Sequence, residues 1–263
     1  MTLRRGIYLA PFGELADAGA LAELAVLAEG RGFDGFFLWD HILRPLEDLA
    51  VADPWVALAA VAVRTERLTI GPLITPVSRR RPQKLAREAV TLDGLSSGRL
   101  VLGVGLGVNT GGELTRFGEE DDDRIRAERL DEGLGLITQL WSGETVTHLG
   151  RHFRADGVRF LPRPQRGRIP IWVAARSPAP KLMSRAARYE GICPETTIEG
   201  LGEMLRLIGA ERGGLDGYDV VVRGEPGDDP APWQAAGATW WLLQVAPGAG
   251  VGKVRAIIEE GPP

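Results

Sequence analysis

Residues 68–107 read LTIGPLI (68–74), TPVSRRRPQKLAREAVTLDGLSSGR (75–99) and LVLGVGLG (100–107), and they decide the fold. The two outer runs are apolar throughout rather than alternating, the pattern of strands buried on both faces of a parallel sheet. Between them, Pro82 suits the first turn of a helix, where a missing N–H costs nothing. Leu85, Ala89, Leu92 and Leu95 then recur at helical spacing along one face, and Gly98 stands where a left-handed residue closes a helix. The unit is strand–helix–strand.

Outward from it, the same unit recurs. Strands are expected near Gly6–Ala10, Asp34–Trp39, Ile169–Ala174, Gly191–Cys193, Asp219–Arg223 and Thr239–Val245. Helices are expected from Leu15 to Arg31, from Asp53-Pro54 to Thr65 and from Asp123 to Trp141. Others start at Ser177-Pro178 and after Thr196, where Glu199 would complete a capping box, and a last one closes near Glu259. Eight alternations in 263 residues with no linker predict an α/β fold, a single (β/α)8 TIM barrel spanning residues 1–263, rather than an open doubly wound sheet. Two segments break the rhythm. Ser142–Arg168 is too long for an ordinary helix-to-strand connection and reads as a small hairpin excursion between the fourth helix and fifth strand. Val108–Asp122 is polar and glycine-rich, and it leaves the C-terminal end of the fourth strand, where the active-site loops of a barrel gather.

Composition narrows the partners. The chain is 44% hydrophobic and 25% charged with net charge −4, and its arginines are interspersed with acids, which speaks against nucleic acid or an anionic membrane as partner. One cysteine, Cys193, leaves no internal disulfide and no cysteine-ligated metal. MTLRR leads straight into GIYLAP with no signal region or spanning run, so a cytoplasmic protein is expected. Val56–Val63, VALAAVAV, is apolar on every side of its helix, which predicts cover by a second copy of the chain or by the chain's own loops.

Chemistry concentrates at strand ends. Trp39-Asp40-His41 closes the second strand, and a histidine beside a carboxylate can move a proton near neutral pH; a structural histidine is the plainer alternative. His148 and His152 fall in the expected hairpin and read as surface residues. Arg79, Arg80 and Arg81 precede a helix N-terminus, where cations are disfavoured, and call for an anion: neighbouring carboxylates or a ligand. Ser177, with Arg176 beside it at a helix start, would make a phosphate cradle or an ordinary cap. Gly103-Val104-Gly105-Leu106-Gly107 lacks the third glycine of a dinucleotide loop, and glycines at a strand end instead leave room for a flat group to approach.

The stretches IGPLITPVSRRRPQKLAREAVTLDGLSSGRLVLGVGLG (70–107), GFDGFFLWDHI (32–42), EL..FG (113–118) and PIWVAARSP (170–178) resemble, in order, the bacterial-luciferase-like flavin- and deazaflavin-dependent oxidoreductases. The resemblance implies a luciferase-like barrel holding coenzyme F420 or FMN at the C-terminal ends of its strands. It also implies a bulge with a non-proline cis peptide at Leu73-Ile74, or one residue earlier at Pro72-Leu73. Carried over, His41, oriented by Asp40, is the proton donor or acceptor, with Glu113 as acidic partner. Cofactor contacts fall to Asp40, Leu73, Ile74, Thr75, Gly105, Gly107, Asn109, Ala175, Arg176 and Ser177. Alanine stands at 174 and 175 where the family often has glycine, and no arginine in 103–107 matches the one that grips an FMN phosphate. With Arg79–Arg81 available for a longer anionic tail, F420 is favoured.

The resemblance then implies hydride transfer between F420 and a small-molecule substrate, in a pocket walled by Trp39 and Val108–Asp122. An FMN-dependent monooxygenase served by a separate flavin or F420 reductase is the alternative, and a cofactor-binding protein without turnover is the alternative of another class. A homodimer through the second helix, with no nucleic acid, membrane or metal partner, completes the expectation.

Overall fold

The computed structural model describes residues 2–43 and 49–263. Its parallel strands are β1 (Arg4–Leu9), β2 (Gly35–Leu38), β3 (Thr69–Pro72), β4 (Thr75–Pro76), β5 (Leu102–Gly105), β8 (Ile171–Ala175), β9 (Gly191–Pro194), β10 (Asp219–Gly224) and β11 (Trp240–Gln244). They run in the order β3-β2-β1-β11-β10-β9-β8-β5-β4. β3 and β4 are one stave interrupted at Leu73-Ile74, the first of the two registers expected for the cis peptide. The ring closes where Ile70 N donates to Arg99 O at 3.1 Å and Val101 N donates to Ile70 O at 2.9 Å. Counting β3 and β4 together, the sheet is an eight-stave barrel.

Around it pack α1 (Ala18–Gly30), α2 (Pro54–Arg64), α3 (Pro82–Leu95), α4 (Asp123–Trp141), α5 (Pro180–Ala187), α6 (Ile198–Arg212), the short α7 (Ala231–Ala235) and α8 (Val251–Glu260). Asp17, Asp53 and Asp122 cap α1, α2 and α4, each carboxylate accepting two backbone N–H groups of the first turn. The strands are apolar throughout because both faces are buried. Leu9, Phe36, Leu38, Leu102, Val104 and Val173 face the helices. Tyr8, Phe37, Leu73, Val101, Trp172, Val221, Trp240 and Leu242 face inward.

Several boundaries differ from the sequence reading. α5 begins at Pro180 with Ala179 as N-cap, so Ser177-Pro178 lies in the loop before it. Thr197, not Thr196, caps α6, its hydroxyl accepting from Gly200 N. Leu95 ends α3 46% exposed. Trp55, Leu58 and Val61 of α2 are buried, while Val56 and Val63 are 68% and 61% exposed on this single chain. β6 (Thr145–Leu149) and β7 (Arg154–Arg159) pair antiparallel between α4 and β8. This hairpin is clasped to α4, because Glu132 accepts from His152 N at 3.0 Å and Phe153 N at 2.7 Å. His148 and His152 are therefore half-buried partners of Glu132 and Glu128, not surface residues. No helix of the described residues is long and apolar enough to cross a membrane.

Candidate active site

The two ends of the barrel interior are built differently. At the N-terminal end Phe37, Trp172 and Trp240 meet edge to face or tilted, with ring centroids 5.5–5.7 Å apart, and fill the cylinder. Gly35 leaves them space, since a Cβ there would stand 2.6 Å from the Phe37 ring. At the C-terminal end a cavity of about 690 Å3 opens, lined among others by Trp39, His41, Ile74, Gly107, Arg126 and Arg223.

His41 sits on the cavity wall just beyond β2. Its Nδ1 lies 2.7 Å from Oε1 of Glu113, a side chain 1% exposed. The other Glu113 oxygen accepts from Ile42 N at 3.2 Å and from Arg79 at 3.1 Å. Burial pushes the Glu113 carboxyl up, but the hydrogen bond from His41, the charge of that ring when it is protonated, the Ile42 N–H and, as the last of these, Arg79 together outweigh it and hold it below the usual carboxylate range. An ionised carboxylate only accepts hydrogen bonds, so Nδ1 of His41 carries the proton. In the neutral ring Nε2 is then the free acceptor.

Asp40 does not orient His41. It turns the other way, accepting from Thr75 Oγ1 at 2.8 Å, Trp55 Nε1 at 3.2 Å, Arg79 at 3.2 Å and Arg80 at 2.9 Å. The reason is local: Asp40 is fully buried, and the two arginines, the Thr75 hydroxyl and the Trp55 indole N–H are the donors within its reach. Two expectations fall with this. Thr75 is wholly buried as a partner of Asp40 and does not line the cavity. Arg79 and Arg80 find their anions inside the protein, in Asp40, Glu113 and Glu88, leaving no free cluster for a ligand's tail. Arg81 is exposed at the N-cap of α3.

Asp40, Leu73, Ile74, Gly105, Gly107, Asn109, Ala175 and Arg176 do line the cavity, and Ser177 does not. Ile74 lies back over β5, where glycines make room: a Cβ on Gly105 would stand 2.8 Å from its Cγ2. The Tyr8 hydroxyl donates to Leu73 O at 2.7 Å, and burial raises this phenol above its ordinary range, keeping it a neutral donor. Asn109 folds its own loop, accepting from Leu114 N at 2.9 Å. That loop, read as polar and glycine-rich, is ordered into two short turns (Thr110–Gly112 and Thr115–Phe117), and Glu113 lies between them.

Sequence reasoning missed Arg126, Arg185 and Arg223 on the cavity wall. Arg126 was findable. With Leu130, Leu134, Ile137 and Trp141 it completes the buried stripe of α4, and a charge on such a stripe marks a ligand edge or an internal ion pair. Its guanidinium donates to the carbonyls of Leu106 and Gly107 and to Asp123. Arg223 shares the inward face of β10 with Val221, two residues before it, a signal only once the inward face is known. Arg176 and Arg223 share Glu195, at 2.6 and 3.5 Å. Burial pushes the Cys193 thiol, which lines the cavity, up to about 12. Among the described residues no group of three or more His, Cys, Asp or Glu is placed to hold a metal.

The model of the luciferase-like monooxygenase family matches residues 5–235. The chain belongs to that family. An F420-dependent glucose-6-phosphate dehydrogenase of Nakamurella multipartita is 36% identical over 213 residues, 77% of this chain and 61% of that protein. One of the same name from Microbacterium testaceum is 37% identical over 225 residues, 80% of this chain and 66% of that protein. The chain thus spans between three fifths and two thirds of the length of these relatives. Among solved structures, an F420-dependent secondary alcohol dehydrogenase in complex with an F420–acetone adduct superposes with TM-score 0.83 at 18% identity, covering 99% of this chain and 98% of that one. A coenzyme F420 dependent tetrahydromethanopterin reductase from Methanopyrus kandleri gives 0.77 at 17%, covering 99% of each chain. At these identities the structural likeness is one of fold.

Proposed function

We propose that this luciferase-like chain transfers hydride between bound F420 and a small organic substrate, with His41 moving the accompanying proton. The observation that carries the reading is the His41–Glu113 pair on the wall of the open cavity. An imidazole whose Nδ1 is held by a buried carboxylate and whose Nε2 is free is built for general base and acid work. The cavity volume falls within the roughly 300–1,000 Å3 of ligand sites. Leu73, Ile74, Gly105, Gly107 and Ala175 would bear the flat ring, and Arg126, Arg176, Arg185 and Arg223, already paired with Asp123, Glu195 and Asp131, would be the cations of the cavity wall that an anionic tail meets. When bound, the deazaflavin would supply the two-electron hydride chemistry.

For an alcohol substrate, Nε2 of His41 would accept the hydroxyl proton, with the bound deazaflavin supplying the two-electron acceptor for the hydride from the carbinol carbon. The substrate loses one proton and one hydride and becomes the carbonyl compound. In reverse, the imidazolium returns the proton. Glu113 stabilises the cation formed on His41, and Trp39, 5.8 Å from the His41 ring, helps wall off the pocket. The relatives' names suggest a phosphorylated sugar and the structural neighbour's a secondary alcohol.

Adding oxidised F420 and FMN separately and following ring fluorescence tests the cofactor. F420 should bind at least tenfold tighter than FMN, and its oxidised absorbance should bleach with propan-2-ol or glucose 6-phosphate. Tighter binding of FMN would favour the monooxygenase with a separate reductase; F420 binding with no bleaching by any alcohol or sugar phosphate would favour the non-catalytic protein. Exposed Val56 and Val63 on α2, with Val26 on α1, support a homodimer through this face. Val56→Glu with Val63→Glu should convert it to monomer in sedimentation, and an unchanged mass would remove that face from the assembly.

A further inference from the structure

Between His41 and Asp40 stands a residue to which nothing so far assigns a role. The Arg79 side chain is 5% exposed, and its two terminal nitrogens divide between two buried carboxylates: one on Oε2 of Glu113 at 3.1 Å, the other on Oδ1 of Asp40 at 3.2 Å. Both acids are at most 1% exposed. Each has further partners: Glu113 holds His41 Nδ1 and Ile42 N, and Asp40 holds Thr75, Trp55 and Arg80, which in turn faces Glu88. The rings of Phe12 and Trp39 pack against His41 without charge. The charged groups Asp123, Arg126, Arg176, Arg185, Glu195 and Arg223 line the same cavity.

We propose that Arg79 is a positioning residue for proton transfer: by bridging Glu113 and Asp40 it keeps Glu113 an ionised acceptor, which in turn holds His41 as the tautomer with Nδ1 protonated and Nε2 open to the cavity. The physical reason is a competition for one carboxylate. A buried carboxylate with an imidazole as its sole charged neighbour draws a second proton into the pair, either onto itself or onto the ring. A guanidinium on its other oxygen already balances that charge, so the pair needs no extra proton. The planar fork matters as well as the charge, because an ammonium lacks the rigid pair of nitrogens that seats one on each carboxylate.

This inference rests on His41 being the acid–base group, but its first test needs no turnover. In the cofactor-free protein labelled with 15N at histidine, the neutral form of the wild-type His41 ring should show the tautomer protonated at Nδ1. In Arg79→Met that signature should be lost by at least half at pH 7, replaced by imidazolium or by the Nε2-protonated form. In turnover assays with F420, the acid limb of the rate–pH profile should move to higher pH and kcat should fall at least fivefold. F420 affinity should stay within about twofold. Arg79→Lys should lie between wild type and Arg79→Met in both readouts, and it carries the test if Arg79→Met does not fold. A wild-type ring pattern and a superimposable pH profile in whichever variant folds would overturn the proposal. An altered ring pattern in a protein that never turns over F420 would support the role of Arg79 while removing the function proposed above.

Discussion

The two ends of one cylinder obey opposite rules. At the N-terminal end, three large aromatic rings fill the interior and glycines give way to them. At the C-terminal end the filling stops above Tyr8 and Leu73, and the wall carries carboxylates and guanidiniums matched in buried pairs around a cavity. Packing at the first end stabilises the barrel; charge at the second serves chemistry and is tolerated only because each buried ion has a partner of opposite sign. Division of labour between the ends of a stave is why residues two apart on one strand, such as Trp172 in the aromatic plug and Ala174 on the cavity wall, have unrelated tasks.

The sharpest way to break this contrast is at the closed end. Trp172→Ala should cost about 3–5 kcal/mol of stability by urea unfolding, yet leave F420 affinity of the folded fraction unchanged; a large loss of affinity would show that the ends are not independent. At the open end the reverse should hold. Glu113→Gln keeps the size but removes the charge, and should lower kcat about 100-fold with F420 affinity preserved. A smaller effect is expected where packing meets ligand. Gly105→Val would push Ile74 off β5 into the cavity and weaken F420 about tenfold, with normal thermal unfolding.

The least of these effects is the pH dependence of stability. The folded Glu113 carboxyl lies below its unfolded value, so its contribution is complete above the ordinary carboxylate range of about 4.3 and is lost as pH falls through the folded value. Urea midpoints should therefore drop more between about pH 5 and about pH 3 in wild type than in Glu113→Gln. Equal drops would mean that the pair does not stabilise the fold.

The barrel was legible because buried parallel strands are apolar on both faces and helices carry their own punctuation. Asp53-Pro54 announced a helix start, and the structure places it there. The cavity wall was legible where chemistry stands next to a strand end, as with His41, Ile74 and Gly105. It was not legible where partners come from distant segments. Asp40 neighbours His41 in sequence, but adjacent residues leaving a strand point to opposite sides, so Glu113, 72 positions on, became the partner. The same blindness made Arg79 and Arg80 look like cations in need of a ligand, when their acids were already in the chain. Ser177 looked like a cap because proline follows it, yet the helix starts at a second proline, Pro180, two residues further on.

Comparing F420 turnover and F420 affinity in wild type and His41→Ala probes the open end most directly. Loss of the imidazole should reduce kcat at least tenfold, and by up to about 10⁴-fold, while the cofactor's fluorescence titration is unchanged. Turnover equal to wild type would place the proton transfer elsewhere and contradict the account.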